Sequence, residues 1–165
     1  MKAFKRIGVS LLVIAMLIGL CPLSCFAAAQ SQPQMILVSQ TEEFLSDGTR
    51  VVISIWEEPV IARGAIFSKA GSKTATGYND LNQAIFTFTV SGTFTVNAGV
   101  SASCINATWS HNIYYSGWSL DSASASAYAN KAIGNAIFKY NSATGDSFTR
   151  SISNTLTCNE YGELS

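Results

Sequence analysis

The segment from Ile85 to Asn97 constrains this chain more than any other. Phe86, Phe88, Val90, Phe94 and Val96 take its even positions, with Gly92 among them, and Thr87, Thr89, Ser91, Thr93 and Thr95 take the odd ones. Successive side chains of an extended strand point to opposite faces, so this alternation describes a strand with one face in a core and one in water. A hairpin folded at Ser91-Gly92 would set Val90 opposite Thr93 and Phe88 opposite Thr95, mixing apolar and polar residues on both faces. One long strand keeps them apart, with Gly92 as a bend or bulge.

The same period recurs along most of the chain. Thr41 to Leu45 and Thr49 to Trp56 flank Asp47-Gly48, a dipeptide that supplies the positive φ angles of a hairpin turn. Met35 to Val38 reads as a short strand or as an extension of the tail, and Glu57-Glu58-Pro59 ends the second strand of the hairpin, because proline has no N–H for a ladder. A strand over 60–67 is expected to meet a turn at Lys69-Ala70-Gly71-Ser72-Lys73. Beyond Asn97-Ala98-Gly99, a strand from Val100 to Trp109 leads to a loop with His111, Tyr114, Tyr115 and Gly117. Trp118 opens a further strand to Ser122. Ala123, Ala125, Ala127 and Ala129 then alternate mostly with serine; alanine favours helix, but the alternation and the flanking strands favour sheet. Ala136 to Tyr140 follows, and the last strand places Phe148, Ile152, Leu156 and Cys158 on one face, with Thr149, Ser151, Ser153, Thr155 and Thr157 on the other. Eight to ten short strands with regular turns define an all-β, antiparallel β-sandwich. Trp118 lies between Cys104 and Cys158, which raises an immunoglobulin-like version, although Leu156 stands where the tyrosine corner of that fold would be.

The N-terminus has a separate logic. Three basic residues fall within the first six positions, an apolar run extends from Ile7 to Leu20, and Ala27-Ala28-Ala29 offers a small-residue cleavage site. These are the three parts of a secretory signal. The run is too short for a membrane-spanning helix, which needs about 20 residues. Cys21 and Cys25 also raise a lipoprotein signal, but Leu20 and Pro22 fit it poorly. The organisation is therefore a signal peptide over 1–29, a polar tail and first hairpin strand over 30–48, and a sandwich domain over 49–165, secreted or associated with the cell envelope. The remainder after the leader holds all ten Asp and Glu but loses three of ten Lys and Arg. Such a weakly acidic, charge-poor chain lacks the basic stripe that nucleic acid requires, and it has no second apolar run long enough for a membrane span.

Cys104 and Cys158 remain after the leader, and an even pair in an oxidising compartment reads as a disulfide. A metal site lacks its other ligands, since His111 is the lone histidine and no CxxC occurs; no cofactor is implied. Trp109-Ser110-His111-Asn112 carries no nucleophile elbow, so His111 reads as a surface side chain. Glu42-Glu43 and Glu57-Glu58 face each other across the hairpin at most one from each pair, and read as solvated edge charges that resist strand pairing. Asn106-Ala107-Thr108 matches a glycosylation pattern that is frequent by chance. Trp109, Tyr114, Tyr115 and Trp118 crowd into ten residues and are the candidate binding aromatics. Exposed, they would stack on sugars or anchor a protein partner; buried, they would be the core of a sandwich end.

Thr41-Glu42-Glu43-Phe44-Leu45-x-Asp47-Gly48, Glu57-Glu58-Pro59, Gly71-Ser72-Lys73-Thr74, the run Val90 to Thr95 leading to Cys104, and Leu156-Thr157-Cys158 before Gly162-Glu163-Leu164-Ser165 resemble small secreted proteins of clostridia and related Firmicutes. That family is of unknown function, so the resemblance implies export and architecture and carries over no site; the alanine-rich 123–136 stretch departs from it. Three readings follow. The first is a non-enzymatic extracellular or envelope-associated binding or structural module, whose partner is a cell-wall polysaccharide such as peptidoglycan or another extracellular protein. The second is a released, bacteriocin-like effector, and the third a hydrolase dependent on His111. Fold class does not choose among them.

Overall fold

The computed structural model describes residues 34–45, 48–60 and 64–165. The expected signal peptide over 1–29, with Cys21 and Cys25, and Asp47 of the expected Asp47-Gly48 turn lie outside the described residues. Eight strands make up the described chain: β1 (Ile36–Phe44), β2 (Arg50–Glu57), β3 (Ile66–Tyr78), β4 (Ala84–Asn97), β5 (Ser101–Ile113), β6 (Trp118–Tyr128), β7 (Lys131–Asn141) and β8 (Ser147–Thr157). All pairings are antiparallel, in a five-stranded sheet of order β1-β2-β3-β4-β5 and a three-stranded sheet of order β6-β7-β8. The chain is the expected antiparallel β-sandwich. Its topology is not that of an immunoglobulin domain, because every paired neighbour is consecutive in sequence. The two sheets are successive meanders, with no strand crossing from one sheet into the other and back.

β4 is one continuous strand, as its alternation requires, and it supplies the centre of the core. Phe86, Phe88, Val90, Phe94 and Val96 are fully buried. The ladder shift against β5 falls between Thr93 and Phe94. Gly92 itself serves a close approach: a Cβ there would stand 2.9 Å from the Ala132 Cβ of the facing sheet. From the other side Ala132, Ala136, Phe138, Ile152 and Leu156 meet β4. Phe138 stacks on Phe86 with centroids 4.1 Å apart. Burying a large apolar side chain contributes about 1.5–3 kcal/mol, which makes these pairs the main cohesion between the sheets.

The alanine-rich segment is strand, not helix. Ala123 and Ala125 of β6 are half-buried, and Ser122, Ser124 and Ser126 are exposed. Their partners on β7 are Ala136 and Gly134, so small residues line this flank and the sheets come close together.

Three local expectations are overturned. Lys69 to Lys73 is not a turn but the middle of β3. Lys69 and Lys73 pair with Phe94 and Val90 across the ladder, so they point to the core side. Each amine finds a partner there: Lys69, which is buried, forms an ion pair with Glu57 at 2.7 Å, and Lys73 donates to the Thr155 carbonyl at 3.1 Å. His111 is likewise in strand β5 rather than in a loop. Nor do the glutamate pairs meet across the first hairpin. Glu42 and Glu43 lie opposite Val52 and Val51, while Glu57 lies opposite Ile36 at the far end.

The three-stranded sheet packs over β3, β4 and β5. β1 extends beyond it as a free edge, and all nine of its residues are exposed. The hairpin to β2 closes as expected around Gly48, with φ +85°; the Leu45 N–H donates to the Thr49 carbonyl at 2.9 Å.

Candidate functional site

At one end of the sandwich a pocket of about 380 Å³ opens between the loop that follows β3, the entry to β6 and the adjoining ends of β7 and β8. Its floor is aromatic. Trp118, the first residue of β6, lies 5.3 Å from Phe86 of the core and 5.5 Å from both Tyr140 and Phe148, the last edge-on at 81°. Tyr140 and Phe148 are themselves 5.0 Å apart. Ring pairs at these separations and tilts are mutually attractive, so the cluster holds a rigid shape.

Local chemistry explains how the rings come together. The β5–β6 connection turns at Gly117, whose φ of +89° is closed to most side chains. A Cβ there would also stand 2.8 Å from the Tyr140 ring and 3.0 Å from the Asn141 carbonyl, which accepts no such approach. The Asn141 N–H donates to the Gly117 carbonyl at 2.9 Å, tying this turn to the end of β7. Tyr115 is thereby set at the pocket rim, 44% exposed.

Polar groups complete the wall. Arg150 of β8 lies over the Phe148 ring at 4.4 Å and donates from Nε to Thr49 Oγ1 at 3.2 Å. Tyr78, Asn79 and Asp80 also line the pocket. Asn79 shapes its own loop, its Oδ1 accepting from the Leu81 and Gln83 N–H groups at 3.1 and 2.9 Å. Arg50 stacks on Tyr78 at 4.7 Å and pairs with Glu42, whose hydrogen bond holds the guanidinium pKa above its ordinary value. Asp80 is the one carboxylate among the described lining residues. The arrangement therefore offers ring faces with one acid, one guanidinium and amide and hydroxyl groups around them, a surface for an uncharged or weakly charged polar ligand with apolar faces.

Of the four aromatic residues picked out in the sequence, the structure divides two from two. Tyr115 and Trp118 line the pocket. Trp109, 39% exposed, stands on β5 beside His111 with ring centroids 5.8 Å apart, and Tyr114 is exposed after the end of that strand. Tyr78, Tyr140, Phe148 and Arg150 escaped sequence reasoning as site residues, since they come from three separate strands. A signal was present in β8: Arg150 interrupts the apolar face made by Phe148, Ile152 and Leu156.

The expected disulfide is not formed in the structure. Cys104 and Cys158 are free, buried thiols, each donating to a nearby carbonyl: Asn106 at 3.3 Å and Asn159 at 3.6 Å. Burial raises the pKa of both, and Cys158 reaches about 11 even though Lys69 acts in the opposite direction. Both belong to one core cluster with Phe94, Leu156 and Leu164. Among the described residues no group of three or more metal-ligating side chains assembles. No family model, curated protein or solved structure matches this chain.

Proposed function

We propose that this protein is a secreted, non-enzymatic binding module of the extracellular space or cell envelope, and that the end pocket takes a short stretch of cell-wall glycan. The observation that carries the reading is the ring cluster Trp118, Tyr140 and Phe148, with Tyr115 at its rim, framed by Asp80, Asn79 and Arg150. Pyranose rings present C–H faces to aromatic rings and hydroxyls to the groups around them, and this pocket has both kinds of surface. Its volume suits one or two sugar units, at the lower end of the usual range of about 300–1,000 Å³ for ligand sites. A hydrolytic reading has less support, because glycoside hydrolysis needs two facing carboxyl groups and the described lining supplies Asp80 alone.

The test is co-sedimentation of the purified protein with Firmicute cell walls, with soluble wall fragments as competitors. Saturable sedimentation that fragments displace, and that Tyr115→Ala and Asp80→Ala weaken, supports the reading. Protein that stays in the supernatant, or binding unaffected by both substitutions, defeats it. Tyr115 and Asp80 are chosen because both are exposed, so their loss leaves the core intact.

A further inference from the structure

Cys104 and Cys158 come from opposite sheets, the first from β5 and the second from just past the end of β8. The turn between β6 and β7 brings them together. Its Ala129 carbonyl accepts from the Cys104 N–H at 2.7 Å, and the next carbonyl, of Asn130, accepts from the Cys158 N–H at 3.0 Å. The Asn130 side-chain amide returns a hydrogen bond to the Cys158 carbonyl at 2.8 Å. Two adjacent peptide groups thus hold both cysteine backbones, and both side chains enter one core cluster.

The chain then seals the pair. Thr157 exchanges two backbone hydrogen bonds with Ser165, at 2.8 and 3.0 Å, and Cys158 bridges to Leu164. Between them residues 159–163 make a tight return, in which Asn159 Oδ1 accepts from the Tyr161 and Glu163 N–H groups at 2.9 Å each and Gly162 adopts φ +84°. Leu164, 6% exposed, lies against the face of Gly71, where a Cβ would come within 2.2 Å of it. This C-terminal clasp leaves Cys158 with no exposed surface and Cys104 with 9%.

We propose that Cys104 and Cys158 are a modification site, joined into an inter-sheet disulfide by a disulfide-bearing oxidant before the clasp over 159–165 docks, and shielded by it afterwards. In the first step a thiolate of one cysteine attacks the oxidant's S–S bond, forming a mixed disulfide and releasing one oxidant thiolate. In the second, the other cysteine's thiolate attacks the protein sulfur of the mixed disulfide and displaces the second oxidant thiolate. The two cysteine protons pass to the two leaving thiolates, so the oxidant is reduced to a dithiol or to two thiols and the protein loses two hydrogens. The thiolate is the attacking species, and burial disfavours it at both positions. Opening the clasp removes the steric barrier and the desolvation together.

The experiment starts from the full chain with Cys21→Ser and Cys25→Ser, so that Cys104 and Cys158 are its only thiols; reduced and folded, it is exposed to glutathione disulfide at neutral pH while intact mass is followed. The expected result is slow loss of two hydrogens in the folded chain and fast loss in urea, with no glutathione retained at the end. Leu164→Ala, which leaves both cysteines and the turn at 129–130 in place, speeds the folded reaction by about tenfold or more through local opening. Should that variant fail to fold, Asn159→Ala loosens the same return by removing an acceptor of two N–H groups. A folded parent chain that oxidises as fast as the unfolded one overturns the shielding. A stable glutathione adduct as the end product, in folded or refolded protein, overturns the pairing.

Discussion

Asn154 offers a direct test of how the sheets are held together. It is 1% exposed and sits between Ile152 and Leu156 on the core face of β8. Its Nδ2 donates to the Phe88 carbonyl at 3.1 Å and to the Lys73 carbonyl at 3.3 Å, so one amide ties the three-stranded sheet to the backbones of β3 and β4. Asn154→Leu fills a similar volume and donates nothing. A hydrogen bond of this kind contributes about 1 kcal/mol net, and a buried group left unpartnered costs about 1–3 kcal/mol. A carbonyl has two lone pairs, and both acceptors lie within paired strands, so the lower end applies: about 2 kcal/mol for the two bonds together. Asn154→Asp is the sharper probe, because it keeps the shape and turns a carboxylate toward two carbonyl oxygens. Desolvation and repulsion both favour the neutral acid, so the folded pKa rises above the unfolded value of about 3.9. A folded pKa raised in this way means that the folded state holds the proton more tightly. The destabilisation is then largest near neutral pH and shrinks as pH falls through the folded pKa toward the unfolded one. Urea denaturation followed by tryptophan fluorescence, at about pH 7 and again at about pH 5, reads the effect. Asn154→Asp should be the less stable of the two variants at the higher pH and should recover relative to Asn154→Leu at the lower. An Asn154→Leu protein within about 0.5 kcal/mol of wild type, or an Asn154→Asp protein with the pH profile of wild type, would refute this account of the amide.

Other consequences can be checked in the same way. Gly134→Ala places a Cβ 2.9 Å from the Val90 Cβ and 3.2 Å from the Phe88 ring; since Val90 is stiff and fully buried, overpacking should cost about 1–3 kcal/mol, seen as a lowered thermal midpoint. Oxidation of Cys104 and Cys158 closes a loop over residues 104–158, for which the chain-entropy model gives about 4 kcal/mol; denaturant midpoints with and without reductant measure it, and equal midpoints would exclude a cross-link in the oxidised sample. In the reduced protein the Cys158 thiol has a folded pKa of about 11 against an ordinary 9.0. Its contribution is fully present below the unfolded value and is lost as pH rises through the folded one, so stability should decline across that alkaline window and Cys158→Ala should flatten the decline.

The fold was legible because the core residues themselves alternate. β4 and β8 each show their buried face as every second residue, and the Ser–Ala alternation of β6 states the same pattern in small side chains. What misled was the assumption that lysine and glycine in sequence mark a turn. In Lys69-Ala70-Gly71-Ser72-Lys73 the charges also obey period two, and they sit on the core face near the β8 side of the sandwich, where Glu57 and the Thr155 carbonyl receive them. A pattern that counts apolar residues alone reads such a strand as a break. The immunoglobulin comparison failed for a different reason: a Cys–Trp–Cys order records spacing along the chain, while sheet membership depends on whether each turn folds the next strand beside the last or across to the other sheet. Here every strand but β6 pairs with its predecessor, and the β5–β6 connection alone passes to the other sheet, so two meanders result.

The site was half legible for a related cause. Four aromatics close in sequence looked like one cluster, but Trp109 lies within β5 and Trp118 begins β6, on strands of different sheets. The turn at Gly117 therefore separates what the sequence placed together. It delivers Trp118 to Tyr140 and Phe148, which share an end of the small sheet because Trp118 pairs with Tyr140 and Tyr140 with Phe148 in successive ladders. The aromatic row is thus a consequence of register, and any change that slipped β6 against β7 by one residue would turn Trp118 to the outer face and dissolve the pocket floor while leaving the composition of every strand unchanged. The bulge between Leu120 and Ser122 lies within the first turn of that ladder. It lets Trp118 and Ala123 both face inward although they are an odd number of residues apart, which period-two reading alone would forbid.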